Sequence, residues 1–457
     1  MELPVDLVTA SREELIYVIG QLVKRIGALE ARIAELEGRP KPPPDALGEQ
    51  KPPSWVKADR PGRPRKERKK RAHGFARRRE EPTHRMEHAL AQCPRCQVPL
   101  VGDRVCGRRQ VITLPRLRAR VTEHVVLERT CPQCRQRWAP KPDWSAITVG
   151  RQRMGVSVQS EVSVLREECR LPFGVIQRYL EGRYGLHLSV GELVALVRGV
   201  AVRGQRAYAR LKQEIRASVV VHGDETGWRE SGRNGYLWSF STPKVRYLLY
   251  RPSRAGAVVE EVLGEEFDGV LVSDFYGAYN VYQGPHQRCW VHLLRAMHQL
   301  KERYPQEVTV AAWVQGVREV YDRAQAYHGP DPGLPGVMQQ SLRVKQQRQY
   351  EQELWAWCQP YVKTQAPMSV LCQRVQRFLP ELFTFVADPQ VAADNNAAER
   401  SLRPPVVSRK ISGGTRSEQG SETKSILASL FGTWHLQGRD PYQAVLQTLT
   451  QPLLAPV

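Results

Sequence analysis

Over residues 11–37 the apolar positions alternate spacings of four and three: Leu15, Ile19, Leu22, Ile26, Leu29, Ile33 and Leu36. That is a heptad seam with Ile at a and Leu at d, the combination that favours a parallel two-stranded coil. Arg25 and Arg32 fall at g and Glu30 and Glu37 at e, so a partner chain offers complementary charges, and Ser11 followed by Glu14 makes a capping box at the start. The spacing predicts a dimerising helix over 11–38, weakened by Gly20 and Gly27. The alternative is an amphipathic helix packed on its own domain. Helical periodicity returns around 162–169, 175–180 and 193–202, so 150–215 is expected to be helical. Leu171-Pro172-Phe173-Gly174 supplies a turn within it, which gives either a helix-turn-helix with a DNA-reading second helix or a three-helix packing with no DNA role.

After Arg216 the period changes to two. Val219, Val220 and Val221 form a buried run that ends at His222-Gly223-Asp224-Glu225-Thr226, and 236–241 and 245–250 alternate as two further strands joined by a Thr-Pro turn. A helix over 255–263 follows, then a strand over 269–274 that ends in Asp274. Strand, strand, strand, helix, strand is the order of a ribonuclease-H-like fold, in which the first and fourth strands are neighbours. Asp224 and Asp274 would then project from adjacent strands. A third carboxylate comes from Asp394-Asn395-Asn396-Ala397-Ala398-Glu399-Arg400, with Asn as the N-cap and Glu399 in the first turn of a helix crossing the sheet. Glu399 lies 125 positions after Asp274, more than the core needs, so a helical insertion is expected over 301–390. Trp313, Tyr350, Trp355 and Trp357 suit its core, with base stacking as the alternative.

Composition adds a partner. The 457 residues exceed one ordinary core, and 68 Lys and Arg against 47 Asp and Glu leave a net charge of +21. Such an excess calls for a polyanion. No apolar run approaches the roughly 18 residues of a membrane span, and the N-terminal residues lack the basic flank and apolar core of a signal peptide. A soluble, cytoplasmic protein with nucleic acid as partner and no membrane association is the expectation. A Pro-rich and basic linker spans 39–86, and within it 57–79 carries twelve Lys and Arg against two acids. Arg60, Arg63, Arg65, Lys66, Arg68, Lys69, Lys70 and Arg71 are the candidate DNA contacts there, in the manner of arms that place arginine in a narrow minor groove.

Of nine cysteines, four form two Cys-x-x-Cys pairs, Cys93 with Cys96 and Cys131 with Cys134. Four thiolates suit tetrahedral Zn²⁺, and the alternating stretch between the pairs predicts the antiparallel strands of a zinc ribbon over 87–140. Cys106 competes as a ligand, and a redox pair is the alternative for one Cys-x-x-Cys. The ribbon is either structural or holds Arg108, Arg109, Arg116, Arg118 and Arg120 against DNA. The remaining cysteines follow no disulfide spacing, which suits a reducing compartment.

Three acids at one place can hold two Mg²⁺ or Mn²⁺ ions about 3.5 to 4 Å apart, one activating the attacking oxygen and one stabilising the leaving oxygen. That is phosphodiester chemistry. Glu225 competes for the metal role but points to the opposite face of a continuing strand, and Asp394 caps the helix. Arg400, Arg403, Arg409 and Lys410 are further candidate DNA contacts, and Gly413-Gly414-Thr415-Arg416 is either a phosphate clamp or an exposed turn. Cys289-x-x-His292 places His292 and Arg295 near a phosphate, with a buried structural histidine as the alternative. No Gly-x4-Gly-Lys-Ser/Thr occurs, which argues against a P-loop ATPase.

With HGDETGW at 222–228, VSDFYGAY at 272–279, RCWVHLLR at 288–295, DNNAAERSLRP at 394–404 and SRKISGGTRSEQG at 408–420, the chain resembles a transposase of the insertion sequence 66 family. The resemblance runs from residue 11 to about 450. It implies a DDE enzyme with Asp224, Asp274 and Glu399 as catalytic triad, a divalent metal and double-stranded DNA as substrate, the element ends and the target. Nucleoid association when bound to DNA is the corresponding location. The expected architecture is therefore multidomain α+β: the 11–38 helix, the 39–86 linker, the 87–140 zinc ribbon, the 150–215 helical segment, and a ribonuclease-H-like α/β catalytic core. That core is split into 216–300 and 391–450 by the 301–390 insertion. A zinc-ribbon DNA-binding regulator or an inactive domesticated transposase is the alternative without catalysis, and a nuclease without strand transfer shares the metal site.

Overall fold

The structure, a computed structural model, describes residues 80–451 except Asp103, Arg116 and Arg151, together with Ile19, Gly20, Val23, Ile26 and Gly27. Those five are helical, and Ile19 and Ile26 are exposed. The rest of the expected dimerising helix and most of the linker lie outside the described residues, including Arg60, Arg63, Arg65, Lys66, Arg68, Lys69, Lys70 and Arg71. The chain divides into two units, Met1–Thr113 and Leu114–Val457. The boundary falls inside the expected zinc ribbon, with one cysteine pair in each unit.

The two pairs make the same turn. Cys93 N donates to Val98 O and Gln97 N to Cys93 O, while Cys131 N donates to Gln136 O and Arg135 N to Cys131 O. Gln97 and Arg135 sit at the equivalent left-handed position, at φ 55° and 57°. Strands β1 (Arg129–Thr130) and β2 (Arg137–Trp138) pair antiparallel around the second turn. The alternating stretch before them departs from expectation: no described residue of 107–128 is in a strand. Val111, Ile112, Leu114, Val121 and Val125 are all exposed, so neither face of the alternation has a core to pack on.

Helices α1 (Val156–Glu167), α2 (Phe173–Tyr184) and α3 (Val190–Arg216) fill the expected helical segment. A capping box between Ser189 and Glu192 opens α3, whose buried Leu193, Leu196, Val200, Leu211 and Ile215 form one apolar stripe. Then come β3 (Val220–Glu230), β4 (Arg233–Ser241), β5 (Arg246–Arg251), α4 (Ala257–Leu263), β6 (Val270–Ser273) and β7 (His286–Arg288). They form one sheet in the order β5-β4-β3-β6-β7. β3, β4 and β5 pair antiparallel, and β6 lies parallel to both β3 and β7. The first and fourth strands of the sheet are thus neighbours. β3 does not end at Asp224 but runs on to Glu230, where Ser231 (φ 49°) and Gly232 (φ 80°) turn it into β4. Polar and glycine residues dominate that extension, which is why alternation does not announce it.

The two faces of the sheet are covered differently. Val221, Phe240, Tyr247, Leu249 and Leu271 pack into the core shared with α3 and α4. On the other face Trp228, Leu237 and Leu248 pack with Leu402 of α10 (Asn396–Ser412), which lies across β3 and β4. Between β7 and α10, helices α5 (Trp290–Arg303), α6 (Val308–Gln325), α7 (Gly336–Cys358), α8 (Ser369–Phe378) and α9 (Thr384–Ala387) enclose a second core around Trp290, Trp313, Leu354 and Phe383. Trp313 and Tyr350 are core residues of this insertion. Helices α11 (Glu418–Leu436) and α12 (Pro441–Thr450) close the chain, and no helix among the described residues is long and apolar enough to cross a membrane.

Helix α11 also solves the edge of the sheet. The outward N–H groups of β5 at Arg246, Leu248 and Tyr250 donate to Thr433 Oγ1 (3.0 Å), Ser429 Oγ (2.8 Å) and Ser425 Oγ (2.9 Å). Four residues of helix advance about 6 Å and two of strand about 6.8 Å, so a hydroxyl row at i, i+4, i+8 meets alternate strand amides. An open edge would invite pairing with another chain. Ser429→Ala should leave Leu248 N–H buried without an acceptor and destabilise the fold by about 1–3 kcal/mol. The urea midpoint checks this against Thr423→Ala on the exposed face of the same helix, and equal midpoints for the two variants would show that the hydroxyl row carries no such weight.

Candidate active site

Strand β3 pairs with β6 only through Val220, Val221 and His222, the last opposite Val272. Continued by two residues, that register sets Asp224 level with Asp274, the first residue past β6. On its other side Asp224 lies opposite Ser239 of β4. Both acids therefore stand just past the last paired residues, at the carboxyl end of the parallel pair. Each is oriented by a backbone amide: Glu225 N donates to Asp224 Oδ1 (2.9 Å) and Tyr276 N to Asp274 Oδ1 (2.8 Å).

Glu399 arrives on the first turn of α10, and what fixes that helix is Asn395. Its side chain does not cap the helix, as the sequence suggests, but reaches across to β3. Asn395 Nδ2 donates to Gly223 O (2.6 Å), Oδ1 lies 3.2 Å from His222 Nδ1, and the Asn395 amide donates to Cys289 Sγ (3.2 Å). Since Nδ2 is the donor to Gly223, Oδ1 must accept, so His222 carries its proton on Nδ1. Burial holds that imidazole below its usual pKa, in the neutral form. Asp394 supplies the local cap instead, through Oδ1 to Asn396 N (3.0 Å). Ser241 Oγ donates to Ser401 Oγ (2.8 Å) one turn further on.

The charges of Asp274 and Glu399 are both felt at Asp224. Burial, with the Glu225, Asp274 and Glu399 carboxylates adding to it, pushes the Asp224 carboxyl up to about 7 against the opposing Glu225 amide bond. Among the described residues no Lys or Arg forms an ion pair with any of the three, and the nearest basic group is His292, with Nε2 3.9 Å from Glu399 Oε1. Hard oxygen donors crowded together without a cation are the donor set a divalent metal takes. As the side chains stand, no three His, Cys, Asp or Glu among the described residues are grouped closely enough to hold an ion, so a shared ion requires the carboxylates to close on it.

Glu225 is kept out of that set. It faces the opposite side of the sheet, where its nearly buried carboxylate accepts from Tyr279 Oη (2.5 Å) and from Arg254 Nε (2.9 Å) and Nη2 (2.5 Å). Arg254 in turn stacks 3.7 Å over the Tyr276 ring. Gly223 makes room: a Cβ there would stand 2.9 Å from Cε1 of the fully buried Tyr279 ring. Sequence reading missed Tyr279, Arg254 and the buried Arg288, although Tyr279 and Arg288 lie inside the motif strings VSDFYGAY and RCWVHLLR.

The basic candidates divide. Arg400, Arg403 and Lys410 are exposed along α10, but Arg409 is engaged, donating from Nη1 to Thr226 Oγ1 (3.1 Å) and to Gly227 O. In the glycine turn three backbone amides are engaged within the fold, Gly413 N on Arg409 O, Gly414 N on Ser412 Oγ and Thr415 N on Arg229 O. A Cβ on Gly414 would collide with Arg229 O, so glycine there lets the turn dock on the end of β3. His292 Nδ1 is buried without a partner, and Arg295 is exposed.

A family model described as Transposase IS66 family matches residues 151–423, more than half of the chain. The chain belongs to the insertion sequence 66 transposase family. The matched span holds α1–α3, the five-stranded sheet, the helical insertion and Asp224, Asp274 and Glu399, whereas both cysteine turns lie outside it. Among curated proteins of Sinorhizobium fredii (strain NBRC 101917 / NGR234), the chain is similar to uncharacterized protein y4jO, 29% identical over 37% of this chain and 52% of that protein. Uncharacterized protein y4jD is 25% identical over 57% of this chain and 55% of that protein, and uncharacterized protein y4qI 24% identical over 47% and 43%. The chain spans about half the length of the curated relatives it matches.

In this transposase-family site the Asp224 shift has a sign that can be tested. An unfolded aspartate ionises near 3.9. With the folded group near 7, the unfolded state loses its proton first, so this side chain destabilises the metal-free fold increasingly as pH rises from about 4 to about 7. Asp224→Asn should therefore raise the melting temperature of metal-free protein at pH 8 and barely change it at pH 4. The same change at both pH values would show that the carboxylate is not penalised in the folded state.

Proposed function

We propose that this chain is the DNA transposase of a mobile element. A homodimer joined through the 11–38 helix binds the two element ends, cleaves a strand and transfers the freed 3′-hydroxyl to target DNA. The observation that carries the reading is the approach of Asp224, Asp274 and Glu399, from two paired strands and a crossing helix, in a sheet whose strand order is that of ribonuclease-H-like folds. Mg²⁺ or Mn²⁺ supplies Lewis-acid activation of the attacking oxygen and charge stabilisation of the leaving oxygen when bound. The chain would contribute the three carboxylates to hold it, and below about pH 7 Asp224 would give up its proton as they did so. Asn395 keeps Glu399 on the Asp224 side of the sheet, and Glu225, tied to Arg254 and Tyr279, stays behind it.

Arg400, Arg403 and Lys410, exposed on one helix with Glu399, are suited to hold phosphates beside the acids. The 57–79 segment adds sequence-independent affinity. Each Cys-x-x-Cys turn, Cys93 with Cys96 and Cys131 with Cys134, offers two thiolates suited to Zn²⁺: in each, backbone N–H groups aimed at the leading sulfur hold the Cys93 and Cys131 thiols below their ordinary value. Exposed Ile19 and Ile26 at the a positions support the dimer.

Asp224→Ala, Asp274→Ala and Glu399→Ala should each lower cleavage of DNA carrying the element ends at least a thousandfold in Mg²⁺, with end binding within about twofold of wild type. Strand mapping reads both, and full cleavage by the triple variant would sink the assignment and leave a DNA-binding regulator. Each phosphate contact contributes about 0.9 to the slope of log affinity against log salt. Deleting 57–79 should lower that slope by about 3 or more, measured by filter binding, and an unchanged slope would put the contacts elsewhere.

A further inference from the structure

Arg288 is an arginine with its side chain 1% exposed, the last residue of β7, paired directly opposite Ser273. A guanidinium in that position has to find acceptors for its donors and a counter-charge. It finds them at both ends of the turn that carries Asp274. Nη1 donates to Asp274 O (3.0 Å) and Ser273 Oγ (3.2 Å), at the start of the turn, and Nη2 to Asn280 Oδ1 (2.8 Å), near its end. The counter-charge comes from outside the sheet: Nε donates to Glu381 Oε2 (2.5 Å), on the segment between α8 and α9 of the insertion. The Phe378 ring of α8 lies 4.6 Å from the guanidinium carbon.

We infer that Arg288 and Glu381 are positioning residues, through which the helical insertion sets the place of Asp274. The inference rests on the reading of Asp274 as a metal-holding acid. Arg288 grips the backbone of Asp274 and leaves its carboxylate free, and it does so because Glu381 takes up its charge. Without Glu381 the buried cation, already bonded to the Asp274 backbone carbonyl, is left uncompensated and competes with a metal for the carboxylate of that same residue. The insertion is then more than a separate helical body, because one of its acids sets the electrostatic partner of a group in the site.

The test uses the full chain with Mn²⁺ as probe. Glu381→Gln keeps an acceptor and removes the charge, and should weaken Mn²⁺ binding about tenfold by calorimetry, at a temperature well below its own, lowered, melting midpoint. Raised Mn²⁺ should restore its cleavage rate, which a merely structural defect would not allow. In the metal-free protein the Tyr276 amide should exchange faster with deuterium. Arg288→Lys, which cannot span both ends of the turn, should lose at least as much, and the double variant no more than Arg288→Lys alone. Wild-type Mn²⁺ affinity and wild-type Tyr276 exchange in Glu381→Gln would overturn the inference, provided Asp224→Ala abolishes Mn²⁺ binding. If Asp224→Ala binds Mn²⁺ normally, the metal-site reading fails as well, and this inference with it.

Discussion

The site depends on one buried amide side chain. Asn395 is fully buried between β3 and the start of α10, and it satisfies a strand carbonyl, a histidine nitrogen and, through its own backbone, a cysteine sulfur. The Gly223 carbonyl and the His222 ring nitrogen would otherwise be polar atoms without a partner in the interior, at a cost of about 1–3 kcal/mol each. Because the three partners come from β3 and from the N-terminus of α5, only one placement of α10 satisfies them together. Glu399, four residues on, is thereby committed to the Asp224 face of the sheet. Trp290 N, which donates to Ala393 O (3.0 Å), ties the same corner from the insertion side.

The same logic, polar groups of one element completing the backbone of another, recurs at the sheet edge. β5 needs acceptors for its outward amides, and the hydroxyls of Ser425, Ser429 and Thr433 provide them from α11. Each hydroxyl of Ser425 and Ser429 also donates back to the helix carbonyl four residues earlier, so both its functions are used. Lys424, adjacent on that helix, pairs with Glu167 of α1 at 2.6 Å with both side chains nearly buried. Helix α11 thus joins the helical segment to the sheet, and α10 is fastened to the opposite face of that sheet by Asn395 and the Ser241–Ser401 contact.

How much of this the sequence reveals follows from which forces are local. Strand alternation and the apolar run at Val219, Val220 and Val221 report burial on a period of two, and from them the order of the sheet and the adjacency of Asp224 and Asp274 are readable. The opposite facing of Glu225 is also readable, because it needs only the pleat. What alternation cannot report is pairing between distant polar groups. Asn395 looks like an N-cap because the same residue type does either task, and Arg288 looks like one more cation in a basic chain. Nor does the glycine turn announce that three of its amides reach Arg409 O, Ser412 Oγ and Arg229 O. Periodicity misleads where no core exists to use it, as at 107–128, where Val111, Val121 and Val125 alternate beside polar residues and stay exposed.

Asp224 and Glu225 show how a single strand separates an acid with a matched charge from one without. They are adjacent and both withdrawn from solvent, yet Glu225 is matched by Arg254 and Tyr279 whereas Asp224 has only a backbone amide. An acid left in that state is held up near 7 by burial and by the other carboxylates, a destabilising arrangement for a metal-free fold. Arg254 is near enough to neutralise one of the pair, and the pleat directs it to the one facing away from Asp274's carboxylate and Glu399. Structural needs alone would be met by a serine or an asparagine at position 224. In the proposed reading a divalent cation balances that charge, and Arg400 and Arg403, exposed on the same helix as Glu399, are the groups proposed to meet the phosphates.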